Sequence, residues 1–140
     1  MSERILGIDL GTTNTCVAVY DGQKPEIVTN QSGARITPSV VAYAEDGNIL
    51  VGQAALRQAV INPKRTIMSI KRLMGLDPDH PEVEAMQKRV GYDIVTDDQN
   101  RLAIQAGVRE RTPVEISAAI LKSVRSAAEE YFGEEIRDAV

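Results

Sequence analysis

The sequence predicts an α/β fold, on three observations. Short β-prone runs bounded by Gly, Asp and Asn clusters fill its N-terminal third. A proline-led stretch from Thr112 keeps apolar residues at helical spacing as far as Gly133. Apolar residues accumulate again after that glycine, as at the start of a strand that follows a helix.

Taken in order, residues 5–10 (ILGIDL) form a nearly continuous apolar run ending in Gly11, and residues 15–20 a second run closed by Asp21-Gly22. Two strands around a tight turn are the simplest reading. Residues 26–30 read as a third strand and 31–35 as loop, while 40–43 and 49–51 flank the turn cluster Glu45-Asp46-Gly47-Asn48. Residues 52–61, rich in Ala, Gln and Leu, and 64–74, with helical spacing up to Gly75, predict two short helices broken at Pro63. A loop at 77–80, a helix over 81–89 and a hairpin of 92–96 with 102–106 around Asp97-Asp98-Gln99-Asn100 follow.

The clearest element begins at Thr112-Pro113-Val114-Glu115. The Thr hydroxyl can cap, proline suits the first helical position and Glu115 can reach back to the cap amide, a capping box worth about 1 kcal/mol. Ile116, Ile120, Val124, Ala127 and Tyr131 then define the core-facing side of the helix until Gly133. Residues 134–140 read as the first part of a strand whose remainder is missing.

Composition bounds the function. The 140 residues suit one domain, and 43% apolar with 26% charged residues exclude disordered, collagen-like and coiled-coil chains. The single cysteine, Cys16, excludes an intrachain disulfide framework. Sixteen Lys and Arg against 20 Asp and Glu leave −4, with no basic run, which argues against nonspecific nucleic-acid binding. With no apolar leader and no run near the roughly 20 apolar residues a bilayer span needs, a soluble, cytoplasmic protein with no membrane partner is expected. An acidic chain repels phosphates on average, so a nucleotide site here must rely on local dipoles, a cation or a metal.

Two places carry chemistry. Asp9-Leu10-Gly11-Thr12-Thr13-Asn14 puts a carboxylate at a strand end before a glycine turn studded with hydroxyls. Asp9 could hold Mg²⁺ directly or through its waters, and the amides and hydroxyls of Thr12, Thr13 and Asn14 could donate to phosphate oxygens that Gly11 lets approach. It is not a Walker A loop, for no Gly-Lys-Thr/Ser follows and the next element is a strand. A plain hairpin turn satisfies the same string. Lys71 is the second place: on a helix over 64–74 it lies about 40° from Ile67, inside an apolar stripe with Ile70 and Met74, whereas Arg72 lies about 140° away. Such a lysine must snorkel to water, pair, or point into a polar cleft. His80 reads as a surface residue and Cys16 as a small core hydrophobe. Asp97-Asp98 and Glu129-Glu130 read as turn and solvent-face residues.

The sequence resembles the seventy-kilodalton heat-shock chaperones of DnaK type, at the start of their ATPase domain. Residues 8–14 resemble the family's first phosphate loop, a turn shared across the actin and sugar-kinase superfamily. More specific are NQSGARITPSVVAY at 30–43, VGQAA at 51–55, QAVINP at 58–63 and KRLMG at 71–75, which match in order and spacing along nearly the whole chain.

The resemblance implies an actin-like, ribonuclease-H-like ATPase lobe I, incomplete, with residues 1–37 and 112–140 as its basal subdomain and 38–111 as an inserted peripheral α+β subdomain. It implies ATP or ADP with Mg²⁺ as ligands, Asp9 in the magnesium shell, Gly11, Thr12, Thr13 and Asn14 on the phosphates, and Lys71 at the terminal phosphate placing the attacking water. A lysine on an apolar stripe then makes sense beside a phosphate cleft. The partners implied are unfolded peptide clients, a J-domain co-chaperone and a nucleotide-exchange factor. The family's second phosphate loop, adenosine loop, linker and peptide-binding domain are not found in these residues, so the chain reads as an N-terminal piece with weak or no hydrolysis of its own. A noncatalytic module that binds an exchange factor and a small-molecule kinase of the same superfamily are the alternatives.

Overall fold

A computed structural model describes residues 3–140 and shows a mixed α/β architecture. Strands β1 (Ile5–Leu10) and β2 (Asn14–Tyr20) pair antiparallel from Ile5↔Tyr20 to Leu10↔Thr15. Strand period 2 then sorts their side chains. Leu6, Val17 and Val19 are buried on one face, while Ile5, Gly7 and Asp9 stand opposite Tyr20, Ala18 and Cys16 on the other, which is open. Cys16 is therefore a half-exposed residue of the open face, not the core hydrophobe expected. Strands β3 (Pro25–Ile27) and β4 (Ile36–Pro38) both add to β2. The expected strand over 26–30 stops at Ile27 because Asn30 leaves the ladder to organise a loop.

A second sheet has β5 (Val40–Tyr43) between β6 (Ile49–Val51) and β7 (Thr66–Met68), all antiparallel. Helix α1 (Gln53–Arg57) follows β6 and is shorter than the expected 52–61. The expected helix over 64–74 does not form. A 3₁₀ turn at Pro63–Arg65 leads into β7, Ser69 takes a left-handed φ of 59°, and a second 3₁₀ turn holds Ile70–Leu73. The β-branched pair Thr66-Ile67 gains cross-strand partners Ala42 and Val41, and this pairing outweighs the weak local preference for helix. The apolar stripe drawn for Lys71 thus dissolves, because Ile67 belongs to a strand and Ile70 to a turn.

Helix α2 (Pro81–Gln87) is capped by His80, whose Nδ1 accepts the Glu82 amide at 3.1 Å, so this exposed histidine serves the surface as expected. The predicted hairpin is β8 (Asp93–Thr96) with β9 (Leu102–Ala106); its turn is closed by the Asp97 carboxylate, which accepts the Gln99 and Arg101 amides at 2.9 and 2.8 Å. An unforeseen strand, β10 (Arg109–Arg111), extends it beyond β9. Residues 109–111 are all charged, so no hydrophobic alternation announces them.

Helix α3 (Pro113–Phe132) starts at the N-cap Thr112 and ends at Gly133, whose φ of 69° suits a left-handed C-cap. Thr112 Oγ1 accepts the Glu115 amide, but the Glu115 carboxylate lies against that hydroxyl at 3.5 Å, so only one limb of the capping box is made. Glu129 is not a plain solvent-face residue: it pairs with Arg125 and accepts the Ile136 amide at 3.0 Å, tying down the helix exit. Strand β11 (Asp138–Ala139) then runs parallel to β1, as the apolar restart after Gly133 suggested.

The α3 face serves two cores. Ile116 and Ile120 join Val41, Ile67, Leu73, Met86, Tyr92 and Ile104, whereas Val124 and Ala128 join Leu6, Val17, Val19 and Ile136. Tyr131, expected on this face, is half exposed and donates its hydroxyl to Glu26 at 3.1 Å. Among the described residues no helix is long and apolar enough to cross a membrane.

Ile120, 1% exposed, should cost about 2–5 kcal/mol when cut to alanine, against under about 0.5 kcal/mol for Val114→Ala, which is 63% exposed. Urea denaturation midpoints of the two variants check this.

Candidate functional site

Strand β1 delivers Asp9 and Leu10 to the edge of its sheet, and the chain reverses through Gly11–Asn14. The Gly11 amide donates to the Asn14 carbonyl at 3.0 Å. A Cβ on Gly11 would sit 2.2 Å from that Asn14 oxygen, so no other residue fits this turn unless its backbone moves. Among the described residues, the Thr12 and Thr13 amides make no hydrogen bond, and neither do their hydroxyls or the Asn14 side chain. Free amides in a tight turn are ready donors for an anion.

The segment 30–39 builds the other side of the turn. Asn30 Oδ1 accepts the amides of Ser32 and Ala34, both at 3.0 Å, while its Nδ2 donates to the Ile36 carbonyl and Thr37 Oγ1. This one side chain closes the loop and sets the register in which Ile36, Thr37 and Pro38 meet Cys16, Thr15 and Asn14. Ser39 arrives beside the turn, donates its amide to the Thr13 carbonyl at 2.8 Å and places its hydroxyl 2.8 Å from the Gly11 carbonyl.

Lys71 comes from the 3₁₀ turn Ile70–Leu73, and its Nζ donates to the Leu10 carbonyl at 2.9 Å. The structure therefore brings Lys71 to the backbone joining Asp9 to Gly11, across 61 residues of chain. Ile70 and Leu73 are buried on either side of Lys71 and Arg72, and α3 packs on the same turn, with Ser117 Oγ 3.4 Å from Met74 Sδ. Because one ammonium hydrogen is used on Leu10, two remain for an incoming anion. Arg72 takes another direction, toward Glu82 at 4.0 Å.

Asp9 is exposed and stands on the open face of the sheet beside Cys16. Among the described residues no group of three or more His, Cys, Asp or Glu gathers as a metal cage. A lone carboxylate suits Mg²⁺, which keeps most of its waters and shares the rest of its shell with phosphates. Asp9, Thr13, Asn14 and Lys71 are all exposed, so each is open to solvent. A separate cavity of about 120 Å³ between α3 and the 30–37 loop is lined by Val17, Val28, Arg35, Gln53 and Val124, and holds none of them.

The sequence profile of the family described as Hsp70 protein matches residues 5–140. The chain belongs to the Hsp70 family. Hsp70 proteins are heat-shock chaperones and ATPases that generally bind ATP or ADP with Mg²⁺. The match covers both the turn and the Lys71 segment, the two parts of the chain that the structure places side by side. Sequence reasoning did not find Ser39. Its signal was present in the Thr-Pro-Ser run, since a polar residue between β-prone segments and next to proline needs a partner for its hydroxyl.

Gly11→Ala should disrupt the turn, destabilising the chain by about 2 kcal/mol or more, whereas Gly7→Ala, whose added methyl meets nothing nearer than the Ala18 carbonyl at 3.9 Å, should change stability by under about 0.5 kcal/mol. Thermal unfolding of both variants, with amide exchange at Gly11, checks the contrast.

Proposed function

We propose that this chain supplies one wall of a Mg·ATP phosphate site in an Hsp70 chaperone whose hydrolysis cycle drives capture and release of unfolded peptides. The observation that carries the reading is the Lys71 ammonium hydrogen-bonded to the Leu10 carbonyl, beside a glycine turn with two amides unused among the described residues. Phosphoryl transfer needs mainly positioning and charge stabilisation, and a fixed cation next to free N–H donors provides both. The overall acidity of the chain makes such local donors necessary.

In this reading Gly11, Thr12, Thr13 and Asn14 bind the phosphate oxygens and Lys71 reaches the terminal phosphate and orients the attacking water. Asp9 would hold Mg²⁺, which when bound neutralises phosphate charge. The fold is then an actin-like lobe. Residues 1–37 with 112–140 form its basal subdomain and 38–111 the inserted one, a division that the two apolar clusters meeting along α3 support. Peptide clients, a J-domain co-chaperone and a nucleotide-exchange factor are the partners this reading assigns to the complete protein, and the cytoplasm its compartment.

An open wall does not exclude water from a bound triphosphate, so the 140-residue chain by itself should turn over ATP slowly or not at all. In a complete ATPase domain carrying this chain, Lys71→Ala should lower kcat about 10²-fold while Mg·ADP still binds. Single-turnover hydrolysis with parallel ADP titration measures both, and unchanged turnover would remove Lys71 from the mechanism.

A further inference from the structure

We infer that Ser39 is a positioning residue, whose hydroxyl sets which way the Gly11–Thr12 peptide points and so makes the turn attractive to anions. The inference rests on the reading of that turn as a phosphate site and adds a residue to it.

The hydrogen-bond directions are forced. The Gly11 carbonyl can only accept, so the Ser39 hydroxyl, 2.8 Å away, must spend its single proton there. Thr15 Oγ1 lies 2.8 Å from the same Ser39 oxygen and is then the donor. A one-way relay results, from Thr15 through Ser39 to the Gly11 carbonyl. Both hydroxyls are nearly buried, at 1% for Thr15 and 3% for Ser39, where each bond polarises the next.

The consequence follows from the planarity of the peptide. No cis peptide bond occurs among the described residues, so a carbonyl and the N–H that follows it point to opposite sides. Drawing the Gly11 carbonyl inward turns the Thr12 amide outward, where it has no partner among the described residues. Turning this peptide over rotates Gly11 ψ and Thr12 φ together; glycine permits the first rotation, while the β-branched Thr12 resists the second, so the Ser39 bond and the Thr12 side chain favour the same orientation. The flipped peptide would aim the carbonyl dipole at an incoming phosphate and hide the amide. Ser39 selects between the two, and its own amide, bound to the Thr13 carbonyl at 2.8 Å, anchors the far end of the turn. Lys71 acts on the neighbouring Leu10 carbonyl and does not touch this peptide, so the two effects are separable.

The test uses the complete protein with Ser39→Ala, Ser39→Thr and Thr15→Val. Thermal unfolding first establishes that each variant folds, and Mg·ADP titration, kcat and the ¹⁵N–¹H signals of Thr12 and Thr13 are then read. Ser39→Ala should weaken Mg·ADP binding about tenfold, shift or broaden the Thr12 amide signal and raise KM for ATP more than it lowers kcat. Ser39→Thr, which keeps the hydroxyl, should restore both affinity and signal. Thr15→Val should have a smaller effect and be silent in the Ser39→Ala background, because the relay is already cut. A folded Ser39→Ala protein with wild-type ADP affinity and an unmoved Thr12 signal overturns the role of Ser39 and leaves the nucleotide reading intact. Failure of the wild-type protein to bind Mg·ADP overturns the nucleotide reading, and the role with it. If Ser39→Ala does not fold, the Thr15→Val protein decides, since full additivity with Ser39→Thr would contradict the relay.

Discussion

The arrangement depends on α3 burying one continuous face in two places at once. Its first half, through Ile116 and Ile120, belongs to the core of the small sheets, and its second half, through Val124 and Ala128, to the core under β1 and β2. A helix of 20 residues is close to 30 Å long and stiff, so whatever packs on its two halves is held at a fixed separation. The 3₁₀ turn carrying Lys71 packs on that helix, and the strand that ends at Leu10 lies against its other half. A lysine can therefore meet a carbonyl 61 residues away without any local element linking them.

Around this frame the turn is built by hydrogen bonds, with little apolar burial. Asn30 folds its own loop, the loop brings β4 to β2, and β4 ends where Ser39 can hold two carbonyls of the Gly11–Asn14 turn. The inward Gly11 carbonyl satisfies the protein, while the Thr12 amide it turns outward is left for something else. Free donors in a loop of an acidic chain are costly to hide from water and inexpensive to leave at a surface where an anion can take them.

Much of the strand framework was legible. Runs such as 5–10, 40–43, 49–51 and 102–106 have apolar content and turn residues at both ends, and each became a strand with those bounds. Thr112, Pro113 and Gly133 likewise bounded α3. The misreadings cluster where local preference is weak. Residues 64–74 have helix-compatible spacing, yet Thr66 and Ile67 find strand partners on β5 that no local window reveals. The charged strand β10 and the short β4 exist only because β9 and β2 offer them an unpaired edge.

The candidate site divides the same way. Asp9, the Gly11 turn and Lys71 stood out from the sequence, though Lys71 was singled out by a helical stripe that is not there; its reach to Leu10 comes from a left-handed Ser69 and a 3₁₀ turn. Ser39 and Thr15 carried no chemical pattern, since their importance is a matter of which carbonyl each hydroxyl faces. The order of residues determined where strands and the long helix begin and stop and where a tight glycine turn falls, because these follow from local sterics, caps and periodicity. Only the folded chain decided which amine meets that turn and which way its peptide points, because both are contacts between segments far apart in sequence.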